Sequence, residues 1–226
     1  MKLLAIDTAT EFCSVALFMD SAMIERAVRE PRAHADNVLP FVAELLAEAD
    51  LSLAALDGIA FGRGPGGFTG LRVAAAVTQG LALGADLPVV GISDLAALAY
   101  GAFTTHGWRA VAASLDARMG EIYFGVYRCG EAGMEVVAED ALAPPGEVTL
   151  AGVDGAWHGA GPGWEAHWSA LPEATRSALT EIDHGPPQAR AVAELGAIEL
   201  AAGRGAAPES AIPVYLRDKV AEKRSA

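Results

Sequence analysis

One strand-turn-strand pattern occurs twice. Ala113-Ser-Leu-Asp116-Ala-Arg-Met-Gly-Glu-Ile-Tyr-Phe-Gly-Val-Tyr127 aligns without a gap against Leu4-Ala-Ile-Asp7-Thr-Ala-Thr-Glu-Phe-Cys-Ser-Val-Ala-Leu-Phe18. In each copy an apolar strand ends in Asp, a short turn follows, and a second apolar strand begins. A repeat placed at the start of each half of the chain predicts two related halves rather than one continuous sheet.

The segments between the copies predict an α/β fold. Residues 3–6 and 13–18 read as strands, and a third covers Met23 to Arg29, giving an N-terminal antiparallel meander. From about Asp36 to Ala49, Val38, Leu39, Phe41, Val42, Leu45, Leu46 and Ala49 follow helical spacing. Pro40 is expected in the first turn, where its missing N–H costs nothing. Strand Gly58–Phe61, helix Leu71–Leu83, strand Leu87–Ile92 and helix Asp94–Tyr100 follow, with 101–109 as a polar connector. Residues 130–190 are rich in Gly and Pro and give no clear elements. A helix is expected over Gln188–Ala202, a late segment at Ile212–Arg217, and a mobile charged tail at Asp218–Ala226.

The stretch from Gly62 to Arg72 satisfies two phosphate-binding patterns. Gly62-x-Gly64-x-x-Gly67 matches a dinucleotide fingerprint, but no acidic residue stands about 20 positions on at the end of the next strand, since Asp86 precedes that strand and Asp94 follows it. As a P-loop, Gly62-x-x-x-x-Gly67 is followed by Phe68 where the phosphate-binding Lys belongs, and Pro65 removes an amide donor. The competing expectation is structural: glycines let the loop turn sharply and bring the helix close to its neighbours.

The 226 residues carry a formal net charge of −13, which opposes direct association with a phosphate backbone. Cys13 and Cys129 are too few for a disulfide framework and lie in no metal-ligand spacing. No long apolar run predicts a membrane span, and Lys2 is followed by only four apolar residues before Asp7, so no secretory signal is expected. A cytoplasmic location is the expectation.

Five motifs stand in order: Ile6-Asp-Thr-Ala-Thr10, His34-Ala-Asp-Asn-Val-Leu-Pro40, the Gly62–Arg72 loop, Leu115-Asp-Ala-Arg-Met-Gly-Glu-Ile-Tyr123 and Pro213-Val-Tyr-Leu-Arg217. With them the chain resembles the TsaB (YeaZ) family over nearly its full length. The resemblance implies a two-lobed actin/Hsp70-like (ASKHA) fold with duplicated ribonuclease-H-like halves, here residues 1–105 and 106–226. It implies a non-catalytic partner and activator of TsaD, the transferase that places the threonylcarbamoyl group on the adenosine beside the anticodon of tRNA. ATP and metal are then expected on the partner and no cofactor on this chain. The ATPase TsaE is expected to join the complex, a homodimer to form when the chain is alone, and tRNA to be met only through the complex. TsaD has a His-x-x-x-His metal pair after the strand equivalent to Pro88–Ile92; Asp94 and Leu98 stand at those positions here. Two other functions compete: a dinucleotide-dependent oxidoreductase, from the fingerprint, and a metal-dependent (M22-type) peptidase, from an older label of the family, against which the missing His pair argues.

The family's first two helices form its partner face. Here that implies His34, Asp36, Val38, Phe41, Leu45, Arg72, Ala75, Ala76 and Gly80, with Phe41 and Leu45 as anchors. The competing reading is that these apolar and small residues fill the chain's own core. For Asp7, Thr8, Asp116 and Arg118 a nucleotide-contact role, as in the wider superfamily, competes with simple turns in which Asp caps its own backbone. Arg118 has Glu121 as a neighbouring ion-pair candidate, and Gly159-Ala-Gly161-Pro-Gly163 reads as a tight turn.

Overall fold

The computed structural model describes residues 1–20, 22–30, 34–150 and 156–217; the expected mobile tail, 218–226, lies outside them. Strands β1 (Lys2–Asp7), β2 (Phe12–Met19), β3 (Ala22–Arg29), β4 (Gly58–Gly64) and β5 (Val89–Ser93) form a sheet in the order β3-β2-β1-β4-β5. Strands β6 (Ala110–Arg118), β7 (Glu121–Gly130), β8 (Gly133–Ala143), β9 (Trp157–Ala160) and β10 (Leu179–Asp183) form a second, in the order β10-β9-β6-β7-β8. Replacing each second-sheet strand by its first-sheet counterpart gives the same order. The antiparallel and parallel pairings also match: β1/β2 and β6/β7 are antiparallel, β1/β4 and β6/β9 parallel. The duplication read from one motif therefore extends to the whole sheet.

The two hairpins are not superimposable residue for residue. Asp7 pairs with Ser14, whereas Asp116 pairs with Ile122, one position away from the gapless alignment. The second turn is tighter, with Arg118, Met119 and Gly120 all at positive φ, and the register shifts between Asp116 and Arg118.

Helices α1 (His34–Glu48) and α2 (Phe68–Ala85) cover the outer face of the first sheet, and α3 (Asp94–His106) and α6 (Ala189–Ala201) lie between the sheets. The short helices α4 (Gly163–His167) and α5 (Glu173–Ala178) pack on the far side of the second sheet. The middle layer is crossed. Helix α3, from the first half, packs on β6 and β7, while α6, from the second half, packs on β1, β2 and β4. One apolar core accordingly contains Leu3 and Ile92 from the first sheet, Leu95 from α3, Val111 from the second sheet and Val192 from α6. The 105/106 boundary falls in the last turn of α3.

Several boundaries differ from expectation for local reasons. Pro40 is the seventh residue of α1, not in its first turn; Asp36, whose carbonyl a seventh-position amide would satisfy, is exposed to water. Helix α3 continues through the expected connector: Ser93 Oγ accepts from Ala96 N at 3.2 Å at its start, and the left-handed Gly107 (φ 75°) closes it with N–H to the Phe103 carbonyl. Strand β8 carries no clear sequence signal, because acidic residues at Glu135, Glu139 and Asp140 break its apolar alternation and its pairing with β7 shifts register twice.

Candidate functional site

Helices α1 and α2 divide the expected partner residues into two groups. Val38 and Leu45 are fully buried and Ala75 nearly so, all packed in the core beneath the helices, and Phe41 is half-buried against the same core. His34 is also buried, and burial holds its imidazole below the ordinary range, partly offset by a backbone hydrogen bond at Thr10. Val38, Leu45, Ala75 and His34 thus pack into the chain's own core, while Phe41 keeps part of its ring accessible. Asp36, Arg72, Ala76 and Gly80 are exposed. A Cβ built on Gly80 would meet nothing within 4 Å, so a neighbouring helix can approach closely there. Leu39 and Leu83, outside the expected partner set, are 51% and 55% exposed on α1 and α2. Their apolar side chains in water are the signal that these helices leave an open face.

Between the sheets lies a cavity of about 550 Å³, bordered by both Asp-containing turns. Thr10 and Arg29 line one side, Asp116, Arg118 and Tyr123 the other. Asp116 accepts from Arg118 N at 2.9 Å and lies 3.0 Å from His167 Nε2 and 3.1 Å from Arg118 Nη1. Burial pushes its carboxyl up, but these partners win and hold it below the ordinary value. Arg118 therefore pairs with Asp116 rather than Glu121; Glu121 is held by Arg217 at 2.6 Å. Arg29 is paired with Glu11 at 2.8 Å. The cavity's arginines are thus each matched to a carboxylate.

Asp7 and Thr8 do not reach that cavity. Both are fully buried: Asp7 Oδ1 accepts from Ala9 N at 2.9 Å, and Thr8 Oγ1 donates to the Gly70 carbonyl at 2.8 Å. The glycine loop is closed down onto this turn. Gly67 N–H donates to the Ala9 carbonyl at 2.6 Å. A Cβ on Gly66 would stand 2.6 Å from that same oxygen, and one on Gly70 would collide with the Thr8 carbonyl. A Cβ on Gly62 would collide with Asp94 Oδ1. Of the glycines in the two phosphate-binding patterns, Gly62 is required by Asp94 and Gly64 by its φ of 114° and the Val214 carbonyl, whereas a Cβ on Gly67 would make only ordinary contact with Ala9. The second half uses the same device: Gly161 and Gly163 press on Ser114.

At the start of α3, Asp94 is fully buried and accepts from Gly64 N at 2.5 Å, and Leu98 is buried in the core. Among the described residues no three His, Cys, Asp or Glu side chains converge on a common metal position.

The family model for TsaD, tRNA N6-adenosine threonylcarbamoyltransferase, matches residues 29–224. The chain is 39% identical over 227 residues to the Escherichia coli K12 "tRNA threonylcarbamoyladenosine biosynthesis protein TsaB", covering 99% of this chain and 98% of that one. The chain belongs to the TsaB family. The Haemophilus influenzae TsaB is 39% identical over 233 residues, with 99% and 97% covered. The solved structure of YeaZ from Pseudomonas aeruginosa superimposes with a TM-score of 0.89 at 42% identity, covering 95% of this chain and 99% of that one. The two-lobed, duplicated ASKHA fold is that of the family, and the family resemblance drawn from the five motifs holds over nearly the full length.

The last described segment completes the site. Val214 N donates to the Arg63 carbonyl at 2.7 Å. Tyr215 packs on Phe68 with ring centroids 5.4 Å apart, and the Arg72 guanidinium sits 3.7 Å from the Phe68 ring centre. Arg217 reaches the Ala117 carbonyl at 3.1 Å on the other half. The motif Pro213–Arg217 is therefore a strap from the β4–α2 loop to the β6–β7 turn.

Proposed function

We propose that this chain serves tRNA threonylcarbamoyladenosine biosynthesis as a non-catalytic partner and activator of TsaD. The observation that carries the reading is the full-length similarity to TsaB proteins; Asp94, hydrogen-bonded inside the protein, and Leu98, in the core, support it, since the resemblance sets them where TsaD has its metal-binding histidines. The docking face is the exposed side of α1 and α2, with Leu39 and Leu83 as apolar contacts and Ala76 and Gly80 admitting a close helix approach. The same face accommodates a second copy of the chain when TsaD is absent. ATP and the catalytic metal belong to the partner, the ATPase TsaE joins the assembled pair, and tRNA is recruited through the complex. The reaction is cytoplasmic; among the described residues no helix is long and apolar enough to cross a membrane.

By binding one arrangement of TsaD in preference to others, the chain would raise the population of the active one. Purified TsaD from the same organism, assayed for tRNA modification with and without this chain, tests the reading. Stimulation by the chain, with none of the activity in the chain alone, is the expected result. TsaD that is neither bound nor stimulated overturns it.

A further inference from the structure

Strand β4 lies between β1 and β5 in the first sheet, and the C-terminal ends of all three come together. Asp7 ends β1. Asp94 begins α3 directly after β5. Gly62, in β4, is the position over which Asp94 reaches, and any side chain there would strike Asp94 Oδ1. Asp7 spends Oδ1 on Ala9 N and Asp94 spends Oδ2 on Gly64 N. That leaves Asp7 Oδ2 and Asp94 Oδ1, both fully buried, with no hydrogen-bond donor among the described residues. The two carboxyls stand at neighbouring strand ends flanking β4 and bear on each other. Two carboxylates have no proton with which to satisfy each other, so a hydrogen bond between them requires one of the pair to carry it.

We propose that Asp7 and Asp94 form a proton-sharing carboxyl pair that locks the end of β1 to the start of α3 across Gly62. Buried acceptor oxygens with no donor are costly, and a shared proton satisfies both at once.

Among the described residues no cation bears on the pair to replace that proton. Glu25, on β3, bears on Asp7, and Asp140, on β8, bears on Asp94. The Cys13 thiol on β2 is raised by burial and then by Asp7. Across the seam Asp140 accepts from Ser93 Oγ at 2.5 Å and from Tyr127 Oη, and Arg63 acts on Asp140. On the far side of Thr8 and Gly70, α1 contributes His34, whose charged form burial disfavours. Burial raises Asp7 from 3.8 to about 6, and burial followed by the Asp7 charge raises Asp94 well above its ordinary value. The pair therefore titrates in two steps that belong to both residues.

The sign follows. A carboxyl whose folded-state value is raised stabilises the protein fully below its unfolded value, and that contribution is lost as pH rises through the folded value. For the first step the window runs from 3.8 to about 6.

Carboxyl-carbon NMR of the intact chain reads the pair directly. One Asp signal is expected to titrate near pH 6 and another at higher pH than the first. All Asp signals titrating together in the ordinary range overturn the proposal. Two variants test it by urea unfolding. Asp7→Asn keeps an acceptor for Ala9 N and donates its amide to Asp94, so it removes the first step. Between about pH 4 and pH 7 the wild-type folding constant should fall roughly 50-fold relative to this variant. Asp94→Asn keeps an acceptor for Gly64 N and removes the second step, so as pH rises beyond the first step its stability should hold where that of the wild type still declines. Parallel pH profiles for wild type and both variants also overturn the proposal. If either variant fails to fold, the wild-type NMR titration decides alone.

Discussion

Arg72 Nε donates to Tyr215 Oη at 3.0 Å, tying the exposed face of α2 to the final strap. Both residues are solvent-accessible, so the bond itself contributes little stability. Tyr215→Phe is expected to cost under about 1 kcal/mol in urea unfolding. Tyr215→Ala also removes the ring against Phe68 and should cost more, about 1–2 kcal/mol. Equal effects of the two substitutions would show that the ring contact is idle.

The helix face makes a contrast between neighbouring residues. Leu83→Asp or Gly80→Arg, both on the water side, should leave stability within about 0.5 kcal/mol and abolish pairing with TsaD and with a second copy. Ala75→Arg forces a cation into the core and should cost several kcal/mol. Thermal melts separate the classes, and sedimentation reads association. Folded Leu83→Asp protein that pairs at wild-type strength would remove this face from the interface.

Gly70 tests whether the glycine loop is structural. Its Cβ position is occupied by the backbone carbonyl of Thr8, which cannot swing away as a side chain can. Gly70→Ala should therefore destabilise by about 2 kcal/mol or more, although alanine is the better helix former. A variant as stable as wild type would mean the β1 turn yields easily.

Both thiols are buried, and burial raises Cys13 to about 11 and Cys129 to about 12. At pH 8 neither should react with iodoacetamide in the native protein, and both should react after unfolding. Fast labelling of either under native conditions would reveal local opening at β2 or β7.

The isolated chain should bind tRNA weakly, since its net charge is −13 and the arginines around the cavity are matched to carboxylates. Tight filter binding with a steep salt dependence would point to a basic surface elsewhere.

The meander β1-β2-β3 was legible because strand alternation and turn residues are local signals, and the repeated Asp turn exposed the duplication. The partner face was only half legible. Helical spacing identifies an apolar stripe on α1, Leu39 included, but does not say which apolar residues meet the chain's own sheet, so Leu45 reads as an anchor although it is buried and Leu39 is the one in water. The pairing of Asp7 with Asp94 and of Phe68 with Tyr215 left no trace in spacing, since each joins residues far apart in sequence. Gly62 shows how a motif misleads: its lack of a side chain is required, but by a carboxylate rather than a phosphate.

The crossing of α3 and α6 makes each half the custodian of the other's interior. Were the gene cut after residue 105, the first fragment would retain α3 with neither β6 nor β7 to receive it, and would lose the helix that shields the inner side of β1 and β4. The second would face the mirror-image deficit. Two such fragments should be insoluble apart and soluble only when co-expressed, a split protein reassembled by exchange of helices. The same braid stiffens the molecule, because the lobes cannot swing apart as freely as hinged domains without pulling both helices from their beds.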